Sequence, residues 1–184
     1  MQHSKDHVAL AIVISNDLKY TYKRIKSEAL TVADKIRKYV PNVPICIVAQ
    51  SDNREKTINP IGAGRAFIFY GPDVSASTLV VDKNNTEMLR IKFVNWKKKL
   101  PFLNSHQLIA FHFTVVNGTE PEDSEEIFSN TFPDIPLSTL RLLDESSMTR
   151  VDHAKRFHPG PVYAIVGFRK FGGGVLPGKM FQRE

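Results

Sequence analysis

Val8-Ala9-Leu10-Ala11-Ile12-Val13-Ile14, a helical stretch from Leu18 to Val40, and Ile45-Cys46-Ile47-Val48-Ala49 are the three consecutive segments that decide the fold. The two apolar runs lack the alternation of a half-exposed strand, so each predicts a strand covered on both faces. Between them Leu18, Tyr22, Ile25, Ala29, Val32, Ala33 and Ile36 recur at the spacing of one helical face. Lys19, Lys23, Lys26 and Arg37 line the other side, with Arg24, Lys35 and Lys38 beside them. Ser15, Asn16 or Asp17 caps this long amphipathic helix, and Pro41 with Pro44 ends it. Strand, helix, strand is a βαβ-like unit, right-handed where the strands are parallel neighbours. The turn Ser15-Asn16-Asp17 contains no glycine, so the phosphate-cradling loop of dinucleotide-binding folds is absent.

Beyond Ser51 the pattern shortens. A polar, proline-punctuated stretch to Pro60 and a glycine turn at 61–64 precede a short strand from Arg65 to Tyr70. Thr78–Val81 and Glu87–Val94 flank Asp82-Lys83-Asn84-Asn85 and read as a hairpin. In its second arm Leu89, Ile91 and Phe93 alternate with Arg90 and Lys92, which predicts a sheet with a basic solvent face. Gln107–Val116, Leu137–Leu143 and Val162–Phe168 supply three further strands. The acidic loop from Glu120 to Glu126 leads into a short helix ending at Phe128, capped by Asp123 or Ser124. The expectation is one α+β domain over 1–184: a βαβ-like amino-terminal unit, then a mainly antiparallel sheet packed on the long amphipathic helix. The glycine-rich tail, 171–184, has too little side chain to pack and is expected to be flexible.

A chain of 184 residues with 42% hydrophobic content is long enough for one sizeable core. Its net charge of +6 and pI near 9.4 favour phosphate or anionic lipid as partners, although the same excess also serves solubility alone. The single cysteine, Cys46, lies inside an apolar run, so no internal disulfide forms and a reducing compartment is expected. No apolar run reaches the roughly 18 residues of a membrane helix, and the amino terminus lacks the apolar core of a signal peptide. The reading is a cytoplasmic protein, or one that reaches the nucleus by diffusion. Asn84 and Asn117 head Asn-x-Thr triplets, which without secretion read as turn chemistry.

Two constellations stand out. In Trp96-Lys97-Lys98-Lys99-Leu100-Pro101-Phe102 three lysines lie between two aromatic rings, a pattern for single-stranded nucleic acid or a membrane interface; the plainer reading makes the rings core and the lysines a solvated loop. A further basic cluster holds Arg150, Lys155, Arg156, Arg169 and Lys170 with His153 and His158, and its position relative to Arg90 and Lys92 decides whether one broad cationic face exists. His112-Phe113-Thr114 supplies one half of the His-x-Thr pair of two-histidine phosphoesterases, but no other histidine supplies the second half, and a core histidine is the simpler reading. His106 and His112 on one strand stand about 20 Å apart, too far for one metal ion. No phosphate loop, Gly-x-Ser-x-Gly or paired-cysteine zinc pattern is present.

These features point to a non-enzymatic basic binding and assembly protein with no cofactor or metal, a profile shared by small viral matrix, coat and RNA-binding proteins. Lys19, Lys23, Lys26, Arg90, Lys92, Trp96, Lys97, Lys98 and Lys99 form the expected anion surface, facing nucleic acid or an anionic membrane. Self-association through the acidic loop and a neighbour's basic patch follows from the segregation of charge. The alternative is a phosphoester-processing enzyme built on His112 and a basic pocket.

Overall fold

The computed structural model describes residues 7–18, 28–51, 65–116, 118–143, 145–153 and 156–170. The chain runs through β1 (Val8–Leu18), α1 (Glu28–Tyr39), β2 (Ile45–Ser51), β3 (Arg65–Tyr70), β4 (Val74–Val80) and α2 (Thr86–Lys98). It continues through β5 (His106–Val115), α3 (Ser124–Thr131), β6 (Leu137–Leu142), β7 (Met148–His153), β8 (Arg156–Pro159) and β9 (Val162–Arg169).

β1 and β2 are parallel neighbours in the register Ala11↔Ile45 and Val13↔Ile47, with α1 crossing between them. Their continuous apolar runs have the expected cause: alternate residues face different layers. Ala11, Val13, Ile45, Ile47 and Ala49 pack against Ala29 and Ala33 of α1. Leu10, Ile12, Cys46 and Val48 point the other way, into a core shared with a second sheet. Of the long helix expected from Leu18 to Val40, α1 covers the 12 residues Glu28–Tyr39. Leu18 ends β1 instead of starting the helix, and residues 19–27 lie outside the described set, as does the tail 171–184.

The strands form two sheets, not one: β3-β1-β2-β7-β8 and β4-β9-β5-β6. Five of their seven pairings are antiparallel, the exceptions being β1–β2 and β5–β6. Val162, Ala164, Val166 and Phe113 of the second sheet meet Leu10, Ile12, Cys46 and Val48 of the first. Tyr163, Ile165 and Ala110 turn outward beneath Leu89, Phe93 and Trp96 of α2 and Ile127 and Phe128 of α3. The layers are therefore α1, first sheet, second sheet, and α2 with α3.

Glu87–Val94 is where expectation fails most clearly: it is helix, not the second arm of a hairpin. Leu89, Phe93 and Trp96 are buried at i, i+4 and i+7, while Ile91, which alternation would turn inward, is 51% exposed. Asn85 starts the helix by accepting a hydrogen bond from the Met88 amide at 2.8 Å.

Candidate functional site

α2 carries most of the expected anion-binding residues: Arg90, Lys92, Trp96, Lys97 and Lys98 lie on it, and Lys99 is its C-cap. Lys19, Lys23 and Lys26 lie outside the described residues. Trp96 departs from its expected role. It is 6% exposed, its indole N–H donates to Ser77 Oγ at 2.8 Å, and its ring packs edge-on to Phe132 at 5.7 Å. Phe102 is equally buried. The rings flanking the lysines are thus core residues and offer no stacking platform.

The cations divide into tied and untied. Lys92 is tied to Asp82 across the start of the helix, which holds that carboxyl below the usual range. Lys97 donates to the Thr131 carbonyl at 2.6 Å, at the negative end of α3, and lies 5.6 Å from the Phe132 ring centre. Arg90, Lys98 and Lys99 make no ion pair among the described residues. Beside them Met88, Ile91 and Val94 are each exposed by 40% or more, an aliphatic ridge among the charges. Arg90, Val94 and Lys97 also line a groove of about 480 Å³ against Ile127, Asn130 and Thr131 of α3.

α2 and α3 run side by side in the same direction, since Thr86 bonds Asp123 at 3.1 Å and Lys97 reaches Thr131. Charge is therefore polarised along this layer. Glu87, Glu122, Asp123 and Glu126 mark its amino-terminal end, and Lys97, Lys98 and Lys99 its carboxy-terminal end. Of the other basic cluster, Lys155 lies outside the described residues, and Lys170 lies beside the turn that follows α2, its amide donating to the Ser105 carbonyl at 3.0 Å. Arg150 on β7 joins Arg37 of α1 on Asp152, across the sandwich, and Arg169 pairs with Asp73 at 3.5 Å.

His112 lies at the heart of a second group. Its ring is fully buried and stacks on Tyr163 at 4.1 Å between centres. Its Nε2 meets Glu120 Oε2 at 2.9 Å, and Thr114 donates to the other oxygen of that carboxylate. On the opposite side Nδ1 faces Thr139 Oγ1 at 3.4 Å and Glu125 Oε1 at 3.6 Å, and Glu125 is held by Arg141 at 2.9 Å. Burial works to raise the Glu120 pKa, but the hydrogen bond and charge of His112, with hydrogen bonds from Thr114 and Ser124, outweigh it and hold the carboxyl below its usual range. Burial drives the Tyr163 hydroxyl upward, with Glu120 and Glu125 adding to the effect; it lies close to Ser124 without a well-formed hydrogen bond.

With both nitrogens engaged and one face stacked, His112 ties the 118–123 connection and α3 to β5 and β6 and presents nothing to a phosphate. Glu120, read as part of a surface acidic loop, is 8% exposed and serves this internal pair instead. Among the described residues no helix is long and apolar enough to cross a membrane. No protein-family model matches the chain, and no curated protein matches it significantly.

Proposed function

We propose that this is a non-enzymatic binding protein whose α2 docks on an anionic membrane surface. One observation carries the reading: α2 turns Arg90, Lys98, Lys99 and the aliphatic Ile91 and Val94 outward while Trp96 turns in. Cations attract anionic headgroups, and aliphatic side chains enter the headgroup boundary without needing a ring to stack on. Nucleic acid fits this surface less well because its aromatic neighbours are buried. The acids at the other end of the layer favour a tilted approach, basic end first.

Each surface lysine near an anionic bilayer is worth about 1 kcal/mol, so removing three weakens binding by roughly 100-fold. The test is co-sedimentation with vesicles of phosphatidylcholine alone or with phosphatidylserine. Wild type is expected to bind only the anionic vesicles, less so at high salt. Lys97→Glu/Lys98→Glu/Lys99→Glu is expected to abolish binding, and Ile91→Asp to weaken it with little change in salt dependence. Equal binding to both vesicle types, or an unaffected triple variant, sinks the reading.

A further inference from the structure

β3 is an outermost strand of the first sheet, and among the described residues its outward N–H and C=O groups make no hydrogen bond. Folded proteins keep such an edge from recruiting another strand by shortening it or by placing charge or proline on it. The far edge of the same sheet follows that rule, since β8 is four residues long and ends in Pro159. β3, Arg65-Ala66-Phe67-Ile68-Phe69-Tyr70, does not: it holds no proline, and its single charge stands at its start.

Both faces of β3 also lack cover. Ile68 stands opposite Ala11 on the α1 side of the sheet, but the helix packs on Ala11 and Val13 and leaves Ile68 48% exposed, with Tyr70 of the same row more open still. On the face toward the second sheet Phe69 reaches Phe111 at 5.9 Å and Phe168 at 6.4 Å between ring centres, whereas Phe67 is as open as Ile68. An open strand edge flanked by uncovered apolar side chains is completed by another strand that brings side chains of the same kind.

We propose that β3 pairs antiparallel with β3 of a second copy, about a two-fold axis normal to the sheet that passes through the Ile68 pair. The strand is complementary to itself in this register. Ile68 meets Ile68 of the second copy, Phe67 lies opposite Phe69, and the small Ala66 lies opposite the large Tyr70. Charge agrees as well. Arg65 makes no ion pair among the described residues, and the antiparallel arrangement brings it toward the Gly71-Pro72-Asp73 end of the other copy, where Asp73 holds Arg169 only loosely at 3.5 Å. A parallel pairing sets the two Arg65 side chains next to each other instead. The pairing joins two five-stranded sheets into one and keeps the α2–α3 layers of both copies on the same side of it. It does not depend on what α2 binds.

The experiment is sedimentation equilibrium of the full chain over a concentration series without vesicles, wild type beside Ile68→Lys, together with cross-linking of Ile68→Cys and Leu143→Cys by a short bismaleimide. Wild type is expected to be a dimer that dissociates on dilution. Ile68→Lys sets two like charges face to face at the axis and is expected to raise the dissociation constant at least about 100-fold. Ile68→Cys is expected to cross-link between copies, because directly opposed side chains stand about 5 Å apart at Cβ. Leu143→Cys, exposed beyond the end of β6 on the second sheet, is expected to stay single. Cys46 is fully buried and takes no part. Wild type that is monomeric at every concentration overturns the proposal, as does an undiminished dimer in Ile68→Lys or equal cross-linking of the two cysteine variants. Should Ile68→Lys prove unfolded, the cysteine variants decide: folded Ile68→Cys that does not cross-link overturns the proposal.

Discussion

Glu120 and His112 lie eight residues apart and meet inside the protein, where each leaves the other stranded if removed. Deleting one partner of a buried charged pair costs about 3–5 kcal/mol, so Glu120→Ala is expected to lower the unfolding free energy by that order in urea titrations. Replacing both partners, as in His112→Phe with Glu120→Leu, is expected to recover much of the loss; a double variant as unstable as the sum of the singles contradicts the pairing. The folded-state pKa of Glu120 is lowered, so its contribution is complete above the unfolded value, about 4.3, and is lost as pH falls through the folded value. Below about pH 4, wild type is therefore expected to lose stability faster than Glu120→Gln. Little of this pair was legible in the sequence. His112 read as a core histidine from its apolar strand, but nothing distinguishes Glu120 from its exposed acidic neighbours except the path of the connection. The Arg37–Asp152 contact spans 115 residues, which no local pattern reports.

At the scale of elements, the strands buried on both faces were legible because unbroken apolar runs as short and as rich in β-branched residues as Val8–Ile14 fit a covered strand better than a helix. α2 was not, and the reason is physical. Leu89, Ile91 and Phe93 fit a period of two, whereas Leu89, Phe93 and Trp96 fit a helix, and a window this short supports both. Asn85 settles the matter locally, since its side chain satisfies the Met88 amide that a helix start leaves unpaired. Asn85→Ala is expected to cost about 1 kcal/mol, and Asn85→Asp or Asn85→Ser to cost little, measured by thermal unfolding. A loss confined to fraying of α2 is further expected to show as faster amide exchange in its first turn. β7 and β8 escaped notice because Arg150, Asp152 and His153 interrupt the apolar signal, and two of those three residues are paid for by ion pairs rather than by burial in hydrocarbon. The basic surface was partly legible: the lysines at positions 97–99 are exposed as expected, but their aromatic neighbours turned inward.

Across the whole molecule, Cys46 lies in the core between the two sheets, and burial pushes its thiol up to about 12. The thiolate is the reactive form, so at pH 8 a thiol reagent is expected to label the protein only when the sheets part, at a rate that follows global unfolding. A raised thiol pKa leaves stability intact below the unfolded value, about 8.5, and removes it as pH climbs toward the folded one. Wild type is thus expected to lose up to about 1.4 kcal/mol per pH unit relative to Cys46→Ala above that point. Parallel curves for the two proteins contradict the buried position. β9 sets a different kind of constraint. It is the last described strand in the chain, yet it lies inside its sheet, paired with β4 on one side and β5 on the other. A ribosome must therefore deliver residues through Arg169 before β4 and β5 gain their common neighbour, and the shared core lacks Val162, Ala164 and Val166 until then. Such late, non-local closure slows folding, and the nascent chain carries open strand edges through most of its synthesis.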